Sequence, residues 1–371
     1  MSGRGVILFA ALALALAGAV LFWLVATRDS SLGSGHPHSL RAENVAKVPT
    51  SQENPFAEMP LIERIGGVLE KLRGSGANAN DLASLRRNLF ADPAAGIAAI
   101  RLFLATHEDA ATGQHFAVGR DGVLSGAPTL RLFLLDLLGQ LSRQVRSGDG
   151  AAVAREILGT KDSPDEWALA LRNVAWDEPK SRPFLAQKMH EMLAYEPWIA
   201  TPTSGMIEAF DVAVYSGDAT FIPTLAALSR GESPPLQRAA TVALDRLAET
   251  STLAAMNYLN ANPTMIADLP FVRADYFAKA DLGNAEQKRA VEQYLDRGDV
   301  SVSEKTKFIH AVASPGSFVS DSLLSTSIAP DDGIARQAGI AAAAAEWARA
   351  NRFPPLRDHV LWLLQRVTLA E

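Results

Sequence analysis

The sequence predicts an all-α protein, an α-solenoid of stacked antiparallel helix pairs behind an N-terminal transmembrane helix. Three observations lead there. Apolar residues recur with helical period from Leu61 onward, an uncharged run fills Val6–Ala26, and the chain is alanine-rich with only 7% aromatic residues. Alanine favours closely packed helices, whereas a sheet sandwich draws on Val, Tyr and Phe.

Composition excludes several classes at once. The 371 residues include no cysteine, so a disulfide framework, a thiolate metal centre, a cysteine nucleophile and a lipid-modified cysteine are all impossible. At 48% hydrophobic residues the chain buries a core, which rules out disorder throughout. The net charge is −6 and the basic residues are scattered without interleaved aromatics, so no nucleic-acid partner is expected.

The leader decides the expected location. As a helix, Val6–Ala26 is about 31 Å long, matching a hydrocarbon core of roughly 30 Å. Trp23 falls near its distal end, where an interfacial aromatic is favoured, and Arg28 follows. The competing reading is a cleaved signal peptide with Ala15-Leu16-Ala17 as its site; cleavage there leaves Val20–Val25 on the mature end, which favours an anchor. Arg4 and the amino terminus then stay cytoplasmic, giving a single pass of the cell inner membrane by residues 6–26 with a periplasmic or otherwise extracytoplasmic body. Residues 27–55, with Ser30–Gly35, Pro37, Pro49 and Pro55, read as a flexible linker. His36-Pro37-His38 within it reads as solvated.

The body, residues 56–371, is expected to be helical repeats. Its stripes include Leu130, Phe133, Leu134, Leu137, Leu138, Leu141 and Val145; then Leu236, Ala239, Ala240, Ala243, Leu244 and Leu247; and finally Leu356, Val360, Leu363, Leu364 and Val367. Each stripe needs a neighbouring helix to cover it. Between them stand Gly148-Asp149, Ser163-Pro164, Gly217-Asp218, Ser233-Pro234-Pro235, Asn262-Pro263 and Gly298-Asp299. Gly ends a helix in the left-handed region, Asp or Ser caps the next, and Pro suits its first turn. Asp331-Asp332 is read the same way, as the cap of a helix from Gly333.

Two stretches read as copies. Ser147-Gly148-Asp149 followed by Ser163-Pro164, and Ser216-Gly217-Asp218 followed by Ser233-Pro234, each outline a helix–turn–helix, 69 residues apart. Gly298-Asp299 lies near the same spacing again. The second copy resembles a HEAT-like repeat of the short phycobilin-lyase type. Phe221-Ile222-Pro223-Thr224-Leu225 matches the family's apolar-Pro-x-Leu, and Gln237–Leu244 is similar to its Arg-x-x-Ala-x-x-Ala-Leu, with Ala240, Ala243 and Leu244 in register and Gln237 in the place of the Arg. Arg336–Ala341 echoes the second pattern. The agreement is best over residues 217–250; it implies a fold and a binding habit, and no lyase residue carries over. Ala239, Ala240, Ala243 and Ala341–Ala345 are expected to let helices approach closely, and Trp167, Trp176, Trp198, Trp347 and Trp362 to be core or repeat-junction residues.

One segment breaks the helical pattern. Residues 112–128 carry Gly113, Gly119, Gly122 and Gly126, and Gly119-Arg120-Asp121-Gly122 between two short apolar runs reads as a hairpin-like excursion. The excursion reads first as a structural connector, then, because helical-repeat proteins place function in such segments, as a partner-binding element, and last as a catalytic loop; on the second reading His115, Arg120 and Asp121 are the partner-binding candidates. His107, Asp109 and His115 do not share one helical face, because Gly113 interrupts it. No nucleophile elbow, phosphate loop, His-Glu-x-x-His or calcium loop occurs. The neighbouring pairs His190-Glu191 and Asp358-His359 point apart on a helix and read as solvated surface. No catalytic residue, metal or cofactor is therefore assigned. The expected function is a membrane-anchored scaffold or adaptor that binds another protein through its curved surface. The alternatives are an enzyme with an unrecognised site on the concave face, and a self-assembling envelope component; the oligomeric state is left open.

Overall fold

The structure is a computed structural model and describes residues 60–74, 79–314, 322–324 and 333–368. The expected span at 6–26, the linker at 27–55 and the Asp331-Asp332 cap lie outside these residues. Contacts divide the chain into Met1–Pro55 and Phe56–Glu371, and the described residues belong to the second part. Among them no helix is long and apolar enough to cross a membrane.

The described residues are all-α apart from one small hairpin. Helices α1 (Leu61–Arg73), α2 (Ala79–Ala91) and α3 (Pro93–Leu104) pack on one another. Strands β1 (Ala117–Val118) and β2 (Leu124–Gly126) form the antiparallel hairpin, with a bulge between Ala117 and Val118. Then come α4 (Leu130–Val145), α5 (Asp149–Ile157), α6 (Pro164–Asp177), α7 (Arg182–Leu193), the single turn α8 (Glu196–Ala200), α9 (Ser204–Ser216), α10 (Ile222–Leu228) and α11 (Pro234–Thr250). The chain closes with α12 (Thr252–Ala261), α13 (Pro270–Phe277), α14 (Ala285–Asp296), α15 (Val302–Val312), α16 (Gly333–Arg349) and α17 (Arg357–Thr368).

Local chemistry sets the boundaries. The side chains of Asp92, Thr129, Ser163, Thr203 and Ser301 each accept a backbone N–H in the first turn of the helix they precede. Each such cap contributes about 1 kcal/mol. Gly217 (φ 71°) ends α9 in the left-handed conformation as read from the sequence, whereas α4 ends on Arg146 (φ 55°), and Gly148 (φ 78°) is the N-cap of α5 with no cap bond from Asp149. Gly298-Asp299 does not continue the series. Gly298 is not left-handed, Asp299 pairs with Arg297 at 2.5 Å, and the cap of α15 is Ser301, accepting from Glu304 at 3.1 Å. The guanidinium of Arg297 holds the Asp299 carboxyl down at about 2.

Packing runs along the sequence. Helices α4, α6, α9, α11, α13, α15 and α17 form a spine in which each contacts the next. Helix α5 packs on α4 and α6, α7 on α6 and α9, α10 on α11, α12 on α11, α13 and α14, and α16 on α17. The stripes on α11 and α17 are covered as expected, with Leu247 and Leu363 buried. Helix α4 differs from the single stripe read for it: Arg131, Leu132, Leu135 and Asp136 are buried as well. It is enclosed by α3, α5, α6 and β2, so no side remains for water except near its end, where Val145 is exposed. Trp167, Trp198 and Trp347 are core residues, Trp167 meeting Trp198 edge-on with centroids 5.2 Å apart. Trp362 is 38% exposed, against expectation, although its ring meets His310 of α15 with centroids 4.2 Å apart.

Candidate functional site

The hairpin owes its shape to two adjacent positive-φ residues. Asp121 (φ 56°) and Gly122 (φ 74°) make the tight turn, closed by Val123 N–H donating to the Arg120 carbonyl at 3.1 Å. What fixes it to the helices is a charge pair across α4 and α6. Arg172 is fully buried; its Nη1 donates to Asp136 Oδ1 at 2.6 Å and to the Gly122 carbonyl at 2.7 Å. Asp136 Oδ1 also accepts the Leu124 N–H at 3.2 Å, and its Oδ2 accepts Gln140 Nε2 at 2.7 Å. The pair therefore grips the hairpin at residues 122 and 124, across the end of its turn. Trp176 covers the guanidinium at 4.1 Å, and Asn173 Oδ1 accepts from its Nη2 at 2.9 Å. Burial pulls the Arg172 guanidinium below its usual value while the Asp136 charge pulls it back.

The same arrangement recurs one step along the spine. Asp211 on α9 and Arg246 on α11 are both buried and meet at 3.1 Å. Arg246 follows Asp211 by 35 residues, as Arg172 follows Asp136 by 36. This second pair also holds a short non-helical segment, Ser322–Leu324 from between α15 and α16. Asp211 Oδ2 accepts the Leu324 N–H at 2.7 Å, and Arg246 Nη2 reaches Ser322 Oγ at 3.4 Å. Leu323 between them is 1% exposed, with its carbonyl lying against Gly122 of the hairpin. Beside Ser322 opens a cleft of about 370 Å³ between α9 and α11, with apolar walls from Phe210, Val214 and Pro235 and charge from Glu208 and Arg238. A second cleft, of about 740 Å³, lies between α3, α5 and α6 over the Arg131–Glu166 pair.

A third buried pair closes off differently. Arg273 on α13 and Glu304 on α15 meet at 2.7 Å, but Tyr294 of α14 donates to Glu304 at 3.0 Å and Arg273 donates to the Pro263 carbonyl at 3.0 Å. Burial and the Glu304 charge push the Tyr294 hydroxyl well above its usual range, so it stays a donor. Neighbouring elements of the repeat itself complete this pair.

Glu208 makes the α9–α11 cleft pH-sensitive. Burial, and then the Asp211 charge, raise its carboxyl above the usual carboxylate value. A raised folded-state value means ionisation costs stability above it, and the cost vanishes as pH falls through it. Replacing Glu208→Gln should therefore stabilise the chain at about pH 7 and leave it unchanged at about pH 3, below the ordinary carboxylate value, where the carboxyl is protonated in both states. Urea unfolding at the two values checks this; an equal gain at both would show that charge is not the cause.

His115, Arg120 and Asp121, the candidates read from the sequence, are all exposed on the hairpin. The structure puts them on the outer part of the element that Asp136 and Arg172 hold from below. His107 lines the larger cleft, and Asp109 accepts the N–H groups of Ala110 and Arg131. Two histidines read as plain surface have specific partners instead. His190 stacks on Phe221 with centroids 3.9 Å apart and meets Thr220 Oγ1 at 3.1 Å. His359 meets His310 at 3.3 Å, and burial together with His359 holds His310 below its usual value. Among the described residues no group of three or more His, Asp or Glu is placed to hold a metal ion. Comparison with protein families, with curated proteins and with solved structures finds no match to this chain. Asp136, Arg172, Asp211 and Arg246 are the residues that sequence reading missed. The one available signal was a charged residue inside an apolar helical run, as in Leu134-Leu135-Asp136-Leu137-Leu138.

Proposed function

We propose that this chain is a membrane-tethered scaffold or adaptor. In this reading the spine and its flanking helices are an α-solenoid of HEAT-like pairs whose curved surface binds another protein. Residues 6–26 anchor it in the inner membrane, and residues 27–55 let the body work on the periplasmic side. The observation that carries the reading is the unbroken succession from α4 to α17, each spine helix packed on the next, because stacked pairs create a long surface without needing a catalytic centre. Rigid presentation of that surface limits the ordering cost of binding. His115, Arg120 and Asp121 on the hairpin, and the cleft at Arg238, supply the contact points.

Photo-crosslinking in native membranes tests it. A crosslinker placed at Arg120 or Arg238, both exposed, should give discrete adducts with another protein, whereas one at Arg289, exposed on α14, should not. Equal labelling from all three positions, or adducts only between copies of this chain, would refute the adaptor reading; the latter result would favour self-assembly.

A further inference from the structure

Two imidazoles face each other near the end of the spine. His310 stands in the last turn of α15 and His359 in the first turn of α17. The packing of those two helices brings His310 Nε2 to 3.3 Å from His359 Nδ1. The rings cross at 74° with centroids 5.4 Å apart. Trp362, one helical turn on from His359, lies against His310 with centroids 4.2 Å apart. His310 and Trp362 are exposed and His359 is half-buried, so an ion reaches the pair directly from solvent.

The separation suits a shared ion better than a shared proton. An N–H hydrogen bond usually spans about 2.7–3.2 Å, and 3.3 Å lies past its long end. Two imidazole nitrogens on one tetrahedral zinc, each about 2.0–2.1 Å from the metal, stand about 3.3–3.4 Å apart. Imidazole is a good ligand for Zn²⁺, Ni²⁺ and Cu²⁺, whereas Mg²⁺ and Ca²⁺ take oxygen. A metal needs the neutral ring. Burial, and then the facing His359, hold His310 below its usual value, which leaves its lone pair free at neutral pH.

We propose that His310 Nε2 and His359 Nδ1 form a two-histidine site for an imidazole-seeking divalent transition-metal ion, with water filling its other positions. Two protein ligands make a reversible surface site, unlike the closed four-ligand shell of a structural zinc centre. The ligands stand on separate helices, so the ion clips α17 to α15 and stabilises that contact in proportion to its occupancy. Such a site does not depend on the scaffold reading.

The test uses the full chain in detergent, with the chlorides of copper, nickel, zinc and magnesium as probes. Paramagnetic Cu²⁺ at His310 should quench the neighbouring Trp362 saturably, and Trp362→Phe should remove that part of the quenching. His310→Gln and His359→Gln should each raise the half-saturating concentration by at least about tenfold. Cu²⁺ should bind more tightly than Ni²⁺ or Zn²⁺, with no response to Mg²⁺. Zn²⁺ should raise the Tm of the parent chain and of neither Gln variant, and replacing His36 and His38 of the linker by Asn should leave both effects in place. In the parent chain, saturating Zn²⁺ should also shield His310 and His359 from diethyl pyrocarbonate, read by mass spectrometry, which needs no variant to fold. Quenching unchanged in both Gln variants, an equal response to Mg²⁺, or both rings left unshielded overturns the proposal. Half-saturation only above about 1 mM would mean an adventitious ion only and overturns it too.

Discussion

Asp136→Ala should lower the unfolding free energy by about 3–5 kcal/mol, the range for stripping one partner from a buried ion pair. Arg172 has 0% of its surface exposed, so its charge finds no water when Asp136 is gone. The loss spreads further, because Leu124 N–H and Gln140 Nε2 lose their acceptor as well. What remains for the guanidinium is the Gly122 carbonyl, Asn173, the face of Trp176 and a long 3.5 Å bond to the backbone carbonyl of residue 136. Asp149→Ala is the matched control. It removes an exposed pair to Arg101, whose side chains are 47% and 25% accessible, and should cost under about 1 kcal/mol. Urea unfolding of both variants measures the difference. Were Asp136→Ala no worse than Asp149→Ala, the pair would not be what ties the hairpin to α4 and α6. Replacing both residues, Asp136→Leu with Arg172→Met, should recover much of the loss, since a well-packed apolar pair avoids the desolvation cost.

Gly122→Val has the second-largest expected effect, and for two separable reasons. Gly122 sits at φ 74°, where a β-branched residue is strained by about 1–3 kcal/mol. A Cβ there would also run into the Leu323 carbonyl group and come within 3.3 Å of the Trp176 ring. Gly113 has nearly the same φ, 77°, with nothing within 4 Å of its Cβ position. Gly113→Val therefore reports strain alone, and the excess loss in Gly122→Val reports the clash. Far-UV circular dichroism should stay helical in both, while hydrogen exchange at Leu323 and Leu324 should speed up only for Gly122→Val. Unchanged exchange there would mean that the hairpin and the 322–324 segment do not support each other.

Several features were legible because their causes are local. Gly217 stops α9 through a backbone conformation that glycine tolerates, and Ser163 caps α6 from its own side chain; at the end of α4 the left-handed residue is Arg146, not the glycine two positions on. The Asp121-Gly122 turn follows from the same kind of preference. Gly298-Asp299 shows where this reasoning overreached: the dipeptide matches the earlier stops, but Arg297 claims Asp299 and Ser301 takes the cap. Spacing identifies a pair of residues and leaves open which competing partner wins.

The candidate site was legible only in its outer part. The hairpin and its exposed His115, Arg120 and Asp121 could be picked out because glycines interrupt an otherwise helical period. Asp136, Arg172, Asp211 and Arg246 could not, since a charge in an apolar run looks like an exposed position until its partner, 35 or 36 residues away, is placed beside it. His310 and His359 are 49 residues apart in the chain, and only the approach of α15 and α17 joins them.

The amino-acid sequence alone determined that the body is built from short capped helices with one glycine-rich interruption, because periodicity, caps and turns act over a few residues. Tertiary structure alone decided that two buried acid–base pairs each seize a non-helical segment, and that Ser322–Leu324 lie across α9 and α11. The pairs themselves join residues 35 and 36 positions apart, and Asp211 meets Leu324 across 113. Their strength comes from burial, which removes the water that would otherwise satisfy each charge, and burial is a property of the assembled helices.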